Sequence, residues 1–377
     1  MPAPTTMSCR LTEGRELRGL SVAELAEQIG VTRQSIYKYE NGTQAPSEET
    51  VERIQKALNL PASFFIYSSA IPDLSSRPIF FRDMKTNEEK NRKMSYRWLQ
   101  ILREQVERYE NYLDFPPVHL PEIELPDILD LTDEDIDIAA ENLRRAWGLG
   151  DGPIDNVTQL LENNGFIIFR KYLPAEKMDA CSLVLNGRPY ILINTYKQTC
   201  SRDLINLAHE LGHVILHQNI SSDVFLSKAD FERIEKQAWR FAKSFLMPPS
   251  IFSAEVGCPT LNRFIALKKR WRVSISAMIM YCHDLELIDD ARKQYFFREM
   301  TRMHIRKEEP LDSELPVEQS ALLKDAEELL VDSQIFTRTK LFELSRLNIG
   351  DYCEMIGLPE DLFATKTVRP QLRIIQS

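Results

Sequence analysis

The residues best suited to chemistry lie in one stretch, Leu207-Ala208-His209-Glu210-Leu211-Gly212-His213-Val214-Ile215-Leu216-His217. His209 and His213 are four residues apart, so on a helix they share a face, one turn above the other. Two imidazoles so placed reach one Zn²⁺ at about 2.0–2.1 Å per bond. Glu210, beside the first ligand, can take a proton from water held by the metal. Zn²⁺ lowers the pKa of such water to about 7 and supplies hydroxide at neutral pH. The chemistry implied is hydrolysis of a peptide or amide bond. H-E-x-x-H also arises by chance, in which case the stretch is a buried helix with two satisfied histidines. Two features favour the metal. Leu204, Ile205, Leu207, Ala208, Leu211, Val214 and Ile215 wrap most of the helix in apolar surface, as around a buried site. Gly212 costs a helix about 1 kcal/mol against Ala, which makes sense if something must approach closely there.

A catalytic zinc takes three protein ligands and keeps a fourth position open. His217 is eight residues beyond His209, about 12 Å along a helix axis, too far for one ion to span. A supporting or capping role is expected for it. Downstream, Ile234, Ala238, Phe241, Ala242 and Phe245 form a helical apolar stripe. Glu235 lies at its edge, one turn from Ala238, where a carboxylate can face the first helix. The alternative is a solvated surface glutamate, as Glu232 is expected to be.

H-E-L-G-H followed by E-x-x-A-x-x-F-A-x-x-x-L-M-P resembles the ImmA/IrrE family of metallopeptidases, over residues 155–249. The resemblance implies zinc held by His209, His213 and Glu235, with Glu210 as catalytic base of a zinc metallopeptidase.

A second candidate site lies near the N-terminus. Ser21-Val22-Ala23-Glu24 is a capping box, and Val22, Leu25, Ala26 and Ile29 follow helical spacing. Gly30-Val31 makes a turn, a second helix runs over residues 32–41 with Ile36 inward, and Gly42 stops it. Ser47 caps a third helix with Val51, Ile54, Ala57 and Leu58 buried, and Pro61 ends the run. Helix, glycine-containing turn, helix is the helix-turn-helix pattern. Residues 25–42 resemble Xre-type (lambda-repressor-like) DNA-binding domains. The resemblance implies that the second helix of the motif enters the major groove of an operator. Arg33 and Gln34 then suit guanine and adenine, Tyr37 and Lys38 reach bases or phosphates one turn on, and Thr32 can hold a phosphate at the helix N-terminus. Many relatives carry Gln where Val22 stands, so that contact is expected to be missing.

Charge sets a limit. The net is −9, which does not announce a nucleic-acid binder, so any DNA site must be local. Residues 1–67 hold seven Lys/Arg and eight Asp/Glu, a net of −1, and a protein-binding helical domain is the alternative there. Residues 77–103 carry eight Lys/Arg (Arg77, Arg82, Lys85, Lys90, Arg92, Lys93, Arg97, Arg103) against three acids. This excess of +5 serves either phosphate contacts or a solvated helix face.

The elements that must position these groups can be read coarsely. Ile79-Phe80-Phe81-Arg82 is extended. Residues 94–115 form a long helix with Trp98, Ile101, Leu102, Val106, Tyr109 and Leu113 in register, suited to a connector or dimer seam. Prolines 116, 117, 121 and 126 make an extended linker. Thr132 caps a helix to Trp147, and another covers residues 157–164. Strands follow at 166–169, 181–185 and 190–194, the last two joined by an Asn186-Gly187 hairpin turn. A small sheet ahead of such a zinc helix can offer an edge strand to extended substrate. Two helices flank Trp271-Arg272-Val273-Ser274, residues 298–310 lead outward, and residues 311–377 show helical periodicity without a chemical motif.

The fold class expected is mainly α with a small sheet (α+β). Residues 1–69 form an all-α helix-turn-helix domain, 70–127 a basic helical connector, 128–300 a zincin-like peptidase domain and 301–377 a helical C-terminal region. The six cysteines are scattered without C-x-x-C and read as reduced thiols of a cytoplasmic protein. No apolar run approaches the length of a membrane span, and the first residues lack a signal-peptide pattern. The function expected is a homodimeric, operator-binding transcriptional regulator whose zinc peptidase cleaves a repressor, an antitoxin-like partner or itself. The alternative is a transcription factor with a proteolytically inactive zincin-like domain that senses a ligand or partner, in a toxin–antitoxin or phage-defence module.

Overall fold

Helical spacing of apolar residues dominates the chain, and the computed structural model, which describes residues 6–67, 86–176, 178–217 and 227–363, is correspondingly helical. Five helices come first: α1 (Thr6–Leu17), α2 (Val22–Ile29), α3 (Arg33–Glu40), α4 (Glu48–Leu58) and α5 (Ala62–Ile66). The capping box forms at α2: Glu24 N donates to Ser21 Oγ at 3.2 Å, and Ser21 N donates to the Glu24 carboxylate at 2.6 Å. Gly30 takes the turn into α3 with φ +68°, where a Cβ would cost about 1–2 kcal/mol. Leu25, Ile29, Ile36, Ile54 and Leu58 are buried between these helices.

Next come α6 (Thr86–Glu110), α7 (Asp133–Ala146), α8 (Val157–Asn163), β1 (Ile167–Lys171), β2 (Ala180–Leu185) and β3 (Arg188–Asn194). They are followed by α9 (Cys200–Leu216), α10 (Lys228–Leu246), α11 (Pro249–Val256), α12 (Leu261–Trp271), α13 (Ile275–Asp284) and α14 (Asp290–Arg302). The chain closes with α15 (Leu322–Asp332), α16 (Arg338–Ser345) and α17 (Ile349–Ile356). The sheet order is β1-β3-β2. β1 runs parallel to β3 with Ile168 opposite Ile191, and β2 runs antiparallel to it with Ser182 opposite Ile191. Asn186 (φ +50°) and Gly187 (φ +80°) make the tight hairpin turn. The fold is α+β, as its apolar patterning predicts.

Side-chain alternation along β3 divides the interior. Tyr190 and Leu192 join a core shared by α1–α6 and α15–α17, whereas Ile191 and Ile193 face a second core made by α7–α14. The three-stranded sheet is therefore sandwiched, with α6 on one side and α9 on the other.

Several features differ from the sequence reading. α1 is a helix with few apolar residues, because its charges are buried against α6: Arg10 donates to both carboxylate oxygens of Glu104 at 3.0 Å, and Arg97 donates to Glu16 at 2.8 Å. Arg97 and Arg103 are accordingly interior ion-pair partners rather than phosphate contacts. Arg103 pairs with Glu107 and Glu110. Lys90 pairs with Glu24 and Lys93 with Glu89 at the surface. Arg77, Arg82, Lys85 and the Ile79-Phe80-Phe81-Arg82 stretch lie outside the described residues. The run does not stop at Pro61, which instead precedes α5, whose Phe64 and Phe65 are buried. Residues 298–302 belong to α14, whose Phe296 and Met300 are buried, rather than leading outward. The C-terminal helices return to the N-terminal ones: Arg18, in the turn just after α1, and Lys171 of β1 both donate to Asp351 of α17, at 2.6 and 2.9 Å. Among the described residues no helix is long and apolar enough to cross a membrane.

Candidate functional site

Thr199 caps α9 by accepting from Arg202 N at 3.3 Å, and nearly every residue of the helix is buried. Ser227 and Asp230 form a capping box that starts α10. The two helices meet at Gly212. A Cβ built there would lie 3.2 Å from both the Ala238 carbonyl oxygen and Phe241 Cδ1. What approaches closely at the glycine is thus α10, whose Glu235 lies over the α9 histidines.

His209 Nε2 and His213 Nε2 stand 3.1 Å apart. Glu235 places Oε2 3.5 Å from the former and Oε1 3.2 Å from the latter. The ligand atoms of the three side chains all lie within 4.8 Å of one another. Trp239 covers His209, with ring centroids 4.2 Å apart. Three electron-rich atoms crowded out of water repel one another unless protons or a cation lie among them. Two imidazoles and one carboxylate, converging from two helices, are the donor set of a zinc that keeps a fourth position open. The residues present therefore fit such an ion.

Glu210, next along α9, is buried and accepts a hydrogen bond on Oε2 from Ser182 Oγ at 2.5 Å. Burial pushes its carboxyl up to about 7, against the opposing pull of His213 and Ser182. Burial also acts to raise Glu235, but hydrogen bonds and charge from His209 and His213 outweigh it and hold that carboxyl well below the ordinary range. Burial, reinforced by His213, keeps His217 well below the usual histidine value. His217 Nδ1 lies 2.9 Å from His213 Nδ1, on the side of that ring away from the cluster, in keeping with a supporting place.

Sequence reasoning missed Ser182. Its signal is positional: it lies opposite Ile191, so the pleat turns it toward the apolar core around α9, where a lone hydroxyl needs a partner. Tyr190 and Tyr196 precede α9 in the chain, and a tyrosine hydroxyl can polarise a substrate carbonyl. Tyr190 points to the opposite side of the sheet, where Arg103 donates to its hydroxyl at 3.3 Å and burial pushes its pKa up to about 12. Strand alternation thus removes it from the cluster. Tyr196 is exposed and packs on Tyr172.

On α3, Thr32, Arg33, Gln34, Tyr37 and Lys38 are all exposed, while Ile36 and Tyr39 are buried. The five form one outward face. Thr32 caps the helix, accepting from Ser35 N at 3.1 Å. Arg15 of α1 donates to Glu40 at 2.6 Å and ties the far end of α3 to the bundle.

Known proteins resemble both regions. Residues 11–65 match the family model described as helix-turn-helix, and residues 166–283 match that of the IrrE N-terminal-like domain. An uncharacterized HTH-type transcriptional regulator of Rhizobium meliloti (strain 1021) is 36% identical over 64 residues, 17% of this chain and 46% of the relative. A regulator of the same description from Sinorhizobium medicae (strain WSM419) matches equally. A putative HTH-type transcriptional regulatory protein of Methanocaldococcus jannaschii is 45% identical over 51 residues, 14% of this chain and 16% of that one. The chain spans less than half the length of the rhizobial relatives. It joins a helix-turn-helix domain of Xre type to an IrrE/ImmA-like domain.

Proposed function

We propose that this chain, in which a helix-turn-helix domain is joined to an IrrE-like domain, is a DNA-binding transcriptional regulator that carries a zinc-dependent peptidase. The observation that carries the reading is the convergence of His209, His213 and Glu235 beside a buried Glu210 held by Ser182. His209 Nε2, His213 Nε2 and one Glu235 oxygen would hold the ion. When bound, zinc supplies Lewis acidity. Glu210 accepts the proton of the attacking water on the carboxylate and delivers it to the leaving amine. Ser182 holds Oε2 and so leaves the other oxygen for that transfer. Trp239 and the apolar flanks of α9 keep bulk water from the cluster. β2 is an edge strand of the sheet and packs against α9, so an extended segment of a protein substrate can add to it through main-chain hydrogen bonds. The substrate class is a partner regulator, such as a repressor or antitoxin, or the chain itself.

The exposed face of α3 reads an operator. Arg33 and Gln34 meet base edges in the major groove, Tyr37 and Lys38 reach bases or phosphates, and a phosphate sits near Thr32. A homodimer in the cytoplasm, spanning two half-sites, completes the proposal. A second reading, a peptidase-dead sensor, draws on one feature: Asp351 joins Arg18, just after α1, to Lys171 of β1, a physical path between the sheet that packs on α9 and the helices that carry α3.

The test is metal content of wild type beside Glu235→Ala, and cleavage of candidate regulators by wild type beside Glu210→Gln. The peptidase reading expects about one zinc per chain, lost in Glu235→Ala, and cleavage lost in Glu210→Gln with zinc retained. No zinc in wild type after reconstitution would leave the sensor reading.

A further inference from the structure

Behind His213, on the side away from Glu235, a row of polar groups crosses otherwise apolar packing. His213 Nδ1 is 2.9 Å from His217 Nδ1, His217 Nε2 is 3.1 Å from Gln237 Oε1, and Gln237 Nε2 donates to the Ile128 carbonyl oxygen at 2.7 Å. His213, His217 and Gln237 are all buried. The direction of each bond is fixed by the one before it. A carbonyl oxygen only accepts, so Gln237 must turn its NH₂ toward Ile128 and its own oxygen toward His217. That oxygen only accepts, so His217 must carry a proton on Nε2. A neutral His217 then has a bare Nδ1, which can only accept from His213 Nδ1–H. A neutral His213, the form that ligates a metal, then carries its lone pair on Nε2, the atom that faces His209 and Glu235; without an ion, a proton on that atom is shared with Glu235.

We infer that His217 and Gln237 are positioning residues: a one-way relay from the Ile128 carbonyl fixes the tautomer and ring orientation of His213 so that Nε2 is presented to a divalent cation. The inference rests on the metal reading above and adds to it two residues and a backbone carbonyl. It also gives the spacing of the histidines a purpose. His217 is too far along α9 to share an ion with His209, yet one turn from His213 it stands where a ligand's other ring nitrogen needs an acceptor. Partners of this kind raise ligand basicity, and their loss weakens metal binding by about 10- to 100-fold. Gln237 lies on α10 beside Ala238, at the Gly212 contact, so the helix that brings Glu235 to the cluster also closes the relay.

The test has two measurements on the full chain. In metal-free protein labelled with ¹⁵N-histidine, long-range ¹H–¹⁵N correlation reads which ring nitrogen carries hydrogen. The relay requires His217 protonated on Nε2 alone; a proton on Nδ1, or on both nitrogens, overturns it. Gln237→Met removes the acceptor that selects this form, so the His217 tautomers should mix, which a merely packing role for Gln237 would not cause. Zn²⁺ and Co²⁺ affinities are then measured by chelator competition. His217→Phe and Gln237→Met, with helix content checked, should each bind about 10- to 100-fold more weakly than wild type. Wild-type affinity in both variants overturns the inference. Failure of wild type itself to bind either ion would sink the metal reading, while the tautomer measurement still decides the relay.

Discussion

Gly212→Ala sets two effects of opposite sign against each other at the contact that assembles the cluster. In an isolated helix the change is favourable by about 1 kcal/mol. Here the new Cβ would lie 3.2 Å from the Ala238 carbonyl oxygen, 3.2 Å from Phe241 Cδ1 and 3.3 Å from Ala238 Cα. Two of these atoms belong to the α10 backbone and have no rotamer to escape into, so α10 itself must withdraw by a few tenths of an ångström. Forcing a methyl into a close-packed interface costs about 1–3 kcal/mol. The net expectation is a loss of about 0–2 kcal/mol, seen as a lower urea midpoint. The sharper consequence concerns the ion. Glu235 and Ala238 are neighbours one turn apart on α10, and His209 and Gly212 stand three residues apart on α9. Displacing α10 therefore moves Glu235 away from both histidines, and ligand sets tolerate only about 0.5 Å of such drift. Zinc affinity, measured by chelator competition, should fall even where stability falls little, and Gly212→Val should be worse on both counts. An Ala variant stabilised by the full helical increment, with unchanged zinc affinity, would refute the idea that close helix approach is what Gly212 provides.

Three further outcomes are expected. Arg33→Ala should cost about 1–3 kcal/mol at one base pair and relax preference there, whereas Lys38→Ala should weaken binding to all sequences and lower the salt slope by about 1. Equal salt-slope losses in both would remove that division of roles. Arg10→Met removes the guanidinium that donates twice to the buried Glu104 and leaves that carboxylate only Arg108, at 3.6 Å, so the cost should approach the lower end of the roughly 3–5 kcal/mol of a broken buried pair; a change in urea stability under about 1 kcal/mol, the scale of an exposed pair, would contradict it. Asp351 is raised by burial but lowered further by Arg18 and Lys171, for a net depression. Its contribution is thus present above the unfolded aspartate value of about 3.9 and is lost as pH falls through the lower folded value. Asp351→Asn should lower stability at neutral pH and flatten the loss on the acid side of that value; parallel stability–pH curves for the two proteins would be the contrary result.

Local signals carried the sequence reading far. Capping serines and threonines, the Asn186-Gly187 turn and the apolar stripes of α9 and α10 act within a few residues, so their consequences are visible without a fold. The cluster was legible for the same reason, since His209 and His213 are one turn apart and Glu235 sits at the edge of a stripe. Interactions between distant segments were hidden. Arg10 and Glu104 are 94 positions apart and Arg18 and Asp351 are 333 apart. A charged residue that will be buried by such a partner looks, in sequence, like one facing water, and that is why α1 went unread and the basic run around α6 suggested phosphate contacts. Ser182 and Gln237 were invisible for a related reason: an isolated polar residue gains meaning only when a second element brings an acceptor or donor to it.

The way α1 is held bears on what a peptidase in this chain can usefully cut. Leu11 and Leu17 of α1, Trp98 of α6, Phe169 of β1 and Tyr352 of α17 belong to one continuous apolar core. Arg10–Glu104, Arg97–Glu16 and Arg18–Asp351 pair across its polar margins. A single cut between α5 and α6 would therefore break the chain without freeing α1–α5, because burial and ion pairs hold them to the remainder. Self-cleavage there would not by itself remove the reading helix from its body, which weighs toward a partner regulator as substrate. The check is direct. Cutting the purified protein with an added protease in residues 68–85 should leave the two pieces co-eluting under native conditions with operator affinity intact. Separation of an α1–α5 fragment on nicking would reverse the argument and restore self-cleavage as an off-switch.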